Sequence, residues 1–400
     1  MKAVGIIAEY NPLHNGHLYH IEEAKRLAGS DAVVVAMSGD YVQRGEPAIL
    51  DKWERTELAL QHGADIVVEI PTLFCLGNAM QYGRAGIRIL ESMAKVKYLA
   101  FGSESGDIEE LARIAANINS KQLEMDRIIS ELSKSGYSYP RARAVAYSEL
   151  FDDSKGRTVL EGSNDILALE YLKACKRLKP VAVKRVGADY NDELDVDVEY
   201  QSATAIRSAL RDRKDITDYV PMSVSAAIEQ AKYSDHLTFS DDWMNTLKYA
   251  VMSMTAEEID ACPSGGEGLG NRIKSMIADA KTWDDFIESV KSKRYTHTRI
   301  SRLCMQIILG INRDYFLSSE PEYVRILGFT KKGRDLISEM SHDESLPLIT
   351  NINKQRDLVS AEGIKQLELD IHAADIYNLV TGRDQVVKSD FRMIPVMTEK

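Results

Sequence analysis

Cysteine is scarce in this 400-residue chain, with only Cys75, Cys175, Cys262 and Cys304, far apart and without a CxxC pair. That spacing offers neither a zinc cage nor a disulfide framework, and it fits a reducing compartment. Long hydrophobic runs are also missing. No stretch approaches the roughly 18 to 20 apolar residues of a membrane span, and MKAVGIIAEYN runs into turn chemistry without a small-residue cleavage site. The expectation is a soluble, unprocessed, cytoplasmic protein with no membrane partner. Excess positive charge is lacking too: 50 Lys and Arg stand against 61 Asp and Glu, a net charge of −11. Such a chain does not coat nucleic acid indiscriminately, although a local basic patch can still hold one particular RNA. No internal repeat or low-complexity tract is visible.

What is present is ample apolar content, 44%, enough for a large core and a prior of two or three domains. In the first hundred residues, AVGIIAEY (3–10), AVVVAM (32–37), ADIVVEI (64–70) and KYLAFG (97–102) read as strands. Between them, LYHIEEAKRLA (18–28), KWERTELALQHG (52–63) and YGRAGIRILESMA (82–94) read as helices. This is the βαβ rhythm of a parallel sheet covered on both faces, and ligands of such sheets bind beyond the carboxyl ends of the strands. Helical texture follows from about 107 to 175. PVAVKRVG (180–187) gives a last strand, and SATAIRSAL a helix with small hydroxyl residues at its start. The chain therefore predicts an α/β unit over 1–212, with a helical insertion near 107–175, and a separate, mainly helical domain over 213–400.

The densest chemical signal is EYNPLHNGHLYHIEEAKRLA, directly after the first strand. Asn11-Pro12 forces a turn, Gly16 permits close backbone approach, and a helix begins near His17. A helix starting there turns amide N–H groups and a positive dipole end toward the loop, which favours phosphate. His14 and His17, three apart, can share one face and steady charge on phosphorus and on departing pyrophosphate. A zinc site does not follow, because no third ligand is near; no metal-ligating set is expected. Ser202, Thr204 and Arg207 form a second cluster of hydroxyls and one guanidinium at a helix start, a plausible phosphate clamp.

Strand, Asn-Pro turn, HNGH and helix resemble the HxGH signature of the nucleotidylyltransferase superfamily, and Ser202 to Arg207 resembles its ISxT-type motif. The resemblance implies a Rossmann-like parallel sheet of the HUP type. A narrower likeness spans nearly the whole chain. MSGDYVQRGEPAILDKWER (37–55), AFGSESGD (100–107), NDILALEYLKA (164–174), VKRVGADYND (183–192), EGLGNRI (267–273), KRYTHTR (293–299) and ELDIHAADIYNL (368–379) resemble the bacterial tRNA(Met) cytidine acetate ligase family. The resemblance implies an enzyme that makes acetyl-adenylate and pyrophosphate from ATP and acetate, then acetylates N4 of the wobble cytidine of elongator tRNA(Met). It also implies ATP contacts from Ile7, Ala8, Glu9, Tyr10, Asn11, Pro12, Leu13, His14, Asn15, Gly16, His17, Leu18, Tyr19 and His20, and from Gly102, Asn164 and Arg185. Two positions depart from the family pattern: Asp165 stands where an Asn is usual, and Leu13 where a Phe is.

A carboxylate is already ionised at neutral pH, so its attack on the α-phosphorus needs no general base. The site must position the reactants and stabilise charge, with Mg²⁺ expected to bridge the phosphates. Asp40 and Lys52, with Arg44 beside them in the loop after the second strand, are candidates for facing the acyl group or the base. For RNA, KSKRYTHTRISR (291–302) carries Lys291, Lys293, Arg294, Arg299 and Arg302 and no acid, which suits phosphate contact. KKGR (331–334) adds a second basic cluster. Two other readings compete: a small-molecule adenylyltransferase, which would leave the helical half without a purpose, and a non-catalytic RNA binder, which would not need intact histidines and hydroxyls.

Overall fold

The computed structural model describes residues 1–399 apart from 138, 161–162, 187–193, 195–199, 293, 316–319 and 341–345. Its frame is a sheet. The first five strands are β1 (Ala3–Ala8), β2 (Ala32–Ser38), β3 (Ile66–Ile70), β4 (Val96–Ser103) and β5 (Lys179–Lys184). They lie in the order β3-β2-β1-β4-β5, and every pair among them is parallel. All seven residues of β2 and all five of β3 are buried, which is why these strands read as continuous apolar runs rather than as alternating ones. Along β2 the side chains divide cleanly. Ala32, Val34 and Ala36 join one hydrophobic cluster, and Val33, Val35 and Met37 join the other on the opposite face.

Helices α1 (Asn15–Ala28) and α2 (Lys52–Gln61) cover the second face. Helix α1 stops at Gly29, whose φ of 55° lets its amide reach the carbonyls of Arg26 and Lys25. Helix α2 starts on a reciprocal cap between Asp51 and Glu54. Helix α3 (Ala79–Ser92) lies on the first face, together with the expected helical insertion. That insertion comprises α4 (Ile108–Ser120), α5 (Gln122–Lys134), α6 (Tyr139–Phe151), α7 (Ser154–Val159) and α8 (Ser163–Ala174). After β5, α9 (Ala203–Arg211) returns to the second face.

The later chain departs from the expected separate helical domain in one respect. It is rich in helix, including α10 (His297–Ile308) and α11 (Ala361–Val380), but it also adds three strands to the same sheet. Strand β6 (Val324–Thr330) pairs antiparallel with β3, while β7 (Leu348–Ile349) and β8 (Val396–Thr398) pair parallel with β6. Two facts hid them. VRILGFT is a short apolar run among helices, where periodicity cannot separate strand from buried helix, and its partner lies some 250 residues upstream. No helix among the described residues is long and apolar enough to cross a membrane.

Candidate active site

The carboxyl ends of β1, β4 and β5 and the start of α9 surround a cavity of about 300 Å³, at the edge where parallel sheets bind ligands. Helix α1 opens on this cavity with His14 as its cap. The His14 amide donates to His17 Nδ1 at 3.3 Å, which assigns the His17 proton to Nε2. The two rings stack at 3.7 Å between centroids, and Tyr10 meets His17 edge-on at 4.9 Å. A Cβ on Gly16 would stand 3.1 Å from the His14 ring, so only glycine leaves the stack undisturbed.

His20 joins these two, one helical turn on, and all three line the cavity. Burial pushes His14 down to about 3, helped by the Arg185 and Arg207 guanidiniums. Burial and then Arg185 push His20 down to about 4, partly opposed by a hydrogen bond with the Phe101 backbone. His17 also lies well below the ordinary range, through burial, its two neighbouring histidines and Arg185. The imidazoles are therefore neutral at physiological pH and act as hydrogen-bond donors rather than cations. The positive charge comes from Arg185 and Arg207, both in the cavity wall.

Four buried polar atoms of this one segment have no partner among the described residues: Tyr10 OH, Asn11 Nδ2, His14 Nδ1 and His20 Nε2. Buried orphans are costly, and a cluster of them beside a cavity is the signature of groups kept for a ligand. Arg207 is tied down at the back, donating to the Asn11 carbonyl at 2.9 Å and to Glu46 Oε2 at 3.2 Å. Ser202 caps α9 by accepting from the Ala205 amide at 3.0 Å; it lines the cavity with Thr204.

Most residues singled out in the sequence converge here. Ile7, Ala8, Glu9, Tyr10, Asn11, His14, Gly16, His17, Tyr19, His20, Gly102, Arg185, Ser202, Thr204 and Arg207 all line the cavity. Others do not. Leu13 is 1% exposed inside the core and Leu18 packs on it. Asn15 is turned outward by its amide, which donates to the Tyr219 carbonyl, and by its side chain, which donates to that of Asp218. Pro12 is buried in the turn and is absent from the lining. The Asn164 side chain lies outside the described residues. Asp165 accepts from Ser103 Oγ at 2.6 Å and from the Glu104 amide, so its extra charge is spent on the loop after β4.

Asp40 and Lys52 are both buried and are not among the residues that line the cavity. Lys52 Nζ donates to Glu69 Oε1 at 2.8 Å and Asp390 Oδ2 at 2.7 Å, with Asp40 Oδ2 at 3.9 Å. Arg325 Nη1 shares Glu69 and Asp390 at 3.0 and 2.6 Å. This is a knot of paired charge beneath the sheet edge, and the pairing itself explains why such residues are there. The basic segment divides as well. Lys291 pairs with Glu288 at the surface and Arg294 is exposed. Arg299 instead turns back on the Ser264 and Gly265 carbonyls, and Arg302 reaches the Gln43 carbonyl at 3.4 Å. Lys293 lies outside the described residues.

Sequence reading missed several wall residues, among them Gln43, Tyr82, Phe101, Tyr171 and Tyr200. It also missed Arg55, whose guanidinium donates to the carbonyls of Glu9 and Ser38, at 2.7 and 3.1 Å, and to that of Gly39. It thereby holds the ends of β1 and β2 together. An arginine on an amphipathic helix gives no sign of turning inward.

This geometry agrees with what the chain is similar to. The family described as HIGH Nucleotidyl Transferase matches residues 1–390. A tRNA(Met) cytidine acetate ligase from Clostridium novyi is 35% identical over 99% of both chains, and one from Acetivibrio thermocellus is 37% identical over 94% of both. The crystal structure of Thermotoga maritima TmcAL bound with alpha-thio ATP is 32% identical, covers 100% of both chains and superposes with a TM-score of 0.91; the apo form gives 0.92. With a stacked pair of histidines at the first turn of α1 and a likeness that runs from end to end, the chain belongs to the HIGH nucleotidyl transferase family and, within it, to the tRNA(Met) cytidine acetate ligases.

Proposed function

We propose that this chain is an ATP-dependent ligase that activates acetate as acetyl-adenylate and transfers the acetyl group to N4 of the wobble cytidine of elongator tRNA(Met). The observation that carries the reading is the stacked His14 and His17 pair, with His20, Arg185 and Arg207, in the wall of one cavity at the carboxyl end of β1. In the first half-reaction an acetate oxygen bonds to the α-phosphorus and the bond to the pyrophosphate oxygen breaks. Imidazole N–H groups donate to the charge that grows on the phosphoryl oxygens, and the guanidiniums balance the departing pyrophosphate. None of these residues has to take a proton, because acetate arrives ionised.

Among the described residues, no three His, Cys, Asp or Glu side chains converge on a metal position. A Mg²⁺ would then be held mainly by the nucleotide's own phosphates, as is usual for this small, hydrated cation, and would neutralise them. RNA is held by the 213–400 region, with Lys291 and Arg294 offering charge to phosphate. The test is to incubate the protein with ATP, labelled acetate and total tRNA. The reading expects pyrophosphate release and label in RNA. Pyrophosphate without labelled RNA would favour a small-molecule adenylyltransferase, and neither product would favour a binding protein.

A further inference from the structure

The cavity wall carries two groups of opposite character, both within reach of the Arg207 charge. One comprises His14, His17, His20 and Arg185, which interact with one another. In the other, the Gln43 amide donates to Glu9 Oε1 at 2.8 Å. Arg44 and Arg207 stand close enough to stabilise the Glu9 charge, Glu46 opposes them, and the Tyr82 and Tyr171 hydroxyls sense it. An anionic side chain is a poor neighbour for a triphosphate, so Glu9 itself is not suited to hold the nucleotide's phosphates, which fall to the histidines, Arg185 and Arg207. Its corner of the cavity is, however, joined to the basic segment. Ser301 Oγ donates to the Gly45 carbonyl at 2.7 Å, and Arg302 to that of Gln43. The loop that carries Gln43 and Arg44 thus links α10 to the part of the cavity wall that holds Glu9.

We infer that the Glu9 corner of the cavity receives the acceptor cytosine and that Glu9 is the catalytic base of acetyl transfer. The inference rests on the function proposed above. The chemistry demands such a group in the second half-reaction and not in the first. An exocyclic amine that attacks a carbonyl carbon must lose a proton, whereas a carboxylate attacking phosphorus has none to lose. In the step, cytidine N4 bonds to the acetyl carbon and the bond from that carbon to the phosphate oxygen breaks. The electron pair leaves on AMP, and one N4 proton passes to the Glu9 carboxylate. Burial, the largest influence on Glu9, keeps it more basic than a solvated glutamate despite the Gln43 amide and the two arginines, which favours proton transfer. Tyr82 and Tyr171 give the same corner aromatic surface against which a splayed base can lie.

The experiment separates the half-reactions in the full-length E9Q protein, which keeps the side chain's shape and its acceptor for the Gln43 amide. Acetate-dependent ATP–pyrophosphate exchange reports activation. Mixing enzyme preloaded with acetyl-adenylate against tRNA(Met) reports transfer. The expected result is a transfer rate that falls by about 10²- to 10⁴-fold, the usual worth of a general base, and by at least about 100-fold more than exchange. The rising acid limb of the transfer pH profile should vanish in E9Q and return in E9D. Equal loss of both half-reactions, or transfer at the wild-type rate, would overturn the inference. If wild-type protein forms acetyl-adenylate yet never labels tRNA, the proposed function itself falls, and the base with it.

Discussion

Replacing Lys52 by methionine should cost stability and spare chemistry. In the wild type the Lys52 ammonium, 1% exposed, lies within 2.8 Å of Glu69 and Asp390, and Arg325 grips the same two carboxylates from the other side. Asp40 completes the group at 3.9 Å. K52M leaves one guanidinium against two fully buried carboxylates and a third nearby, and removing one partner of a buried ion pair typically costs about 3–5 kcal/mol. The loss should depend on pH in a definite direction. Burial alone would raise Asp390, but Arg325 and Lys52 outweigh it and hold the carboxyl at about 2. A depressed carboxyl contributes stability that is complete above its unfolded value, near 3.9, and disappears as pH falls toward 2. Without Lys52 the stranded carboxylates bind protons more readily, so the gap between variant and wild type should narrow from pH 7.5 to pH 5. Urea unfolding followed by tryptophan fluorescence at the two pH values reads both quantities, and acetate-dependent pyrophosphate exchange at low temperature reads the chemistry. A loss below about 1 kcal/mol, or a folded variant with no exchange, would refute the reasoning and return Lys52 to the catalytic list.

Three further outcomes follow from the geometry. Gly16→Ala puts a methyl 3.1 Å from the His14 ring and should lower pyrophosphate exchange by about 100-fold, the penalty for small misplacement of a catalytic group, while far-UV circular dichroism stays unchanged; near-normal exchange would show that the imidazole stack is not needed. Because His14 and His20 are held at about 3 and 4, below the ordinary 6.5, the unfolded chain binds protons that the folded one refuses. Stability should therefore be complete above about pH 6.5 and fall toward pH 4, more gently in His20→Asn, and an unchanged slope in that variant would contradict the burial argument. Finally, Lys291→Ala with Arg294→Ala should weaken tRNA binding alike for all sequences and reduce the slope of log affinity against log salt by about 2, one for each phosphate that no longer meets a cation; an unaltered slope would move the RNA elsewhere.

The reach of the sequence can be seen residue by residue. Strands β1 to β4 announced themselves because a parallel sheet covered on both faces makes each strand an uninterrupted apolar run with helices between. The HNGH turn was legible because strand, turn, two histidines and helix are all local. What stayed hidden depended on distant partners. Nothing near Lys52 indicates that Asp390 will meet it from 338 residues away, so a buried counter-charge and a catalytic loop residue look alike in one dimension. Arg299 and Arg302 seemed to belong to one solvent-facing basic patch. Their inward turn is set by carbonyls at Ser264, Gly265 and Gln43, which come from other parts of the chain.

Strand β6 has a consequence for how this protein can be taken apart. It covers the outer side of β3, and it brings Arg325 to Glu69. A fragment ending near residue 212 would contain every histidine of the cavity, yet it would expose a row of unsatisfied backbone groups along β3 and leave Glu69 without Arg325 and Asp390. Bare apolar strand edges recruit other chains, so such a fragment should precipitate or pair with itself. Activity and solubility then depend on the segment beyond residue 212 having been made, because the strand that closes β3 leaves the ribosome well after the histidines do.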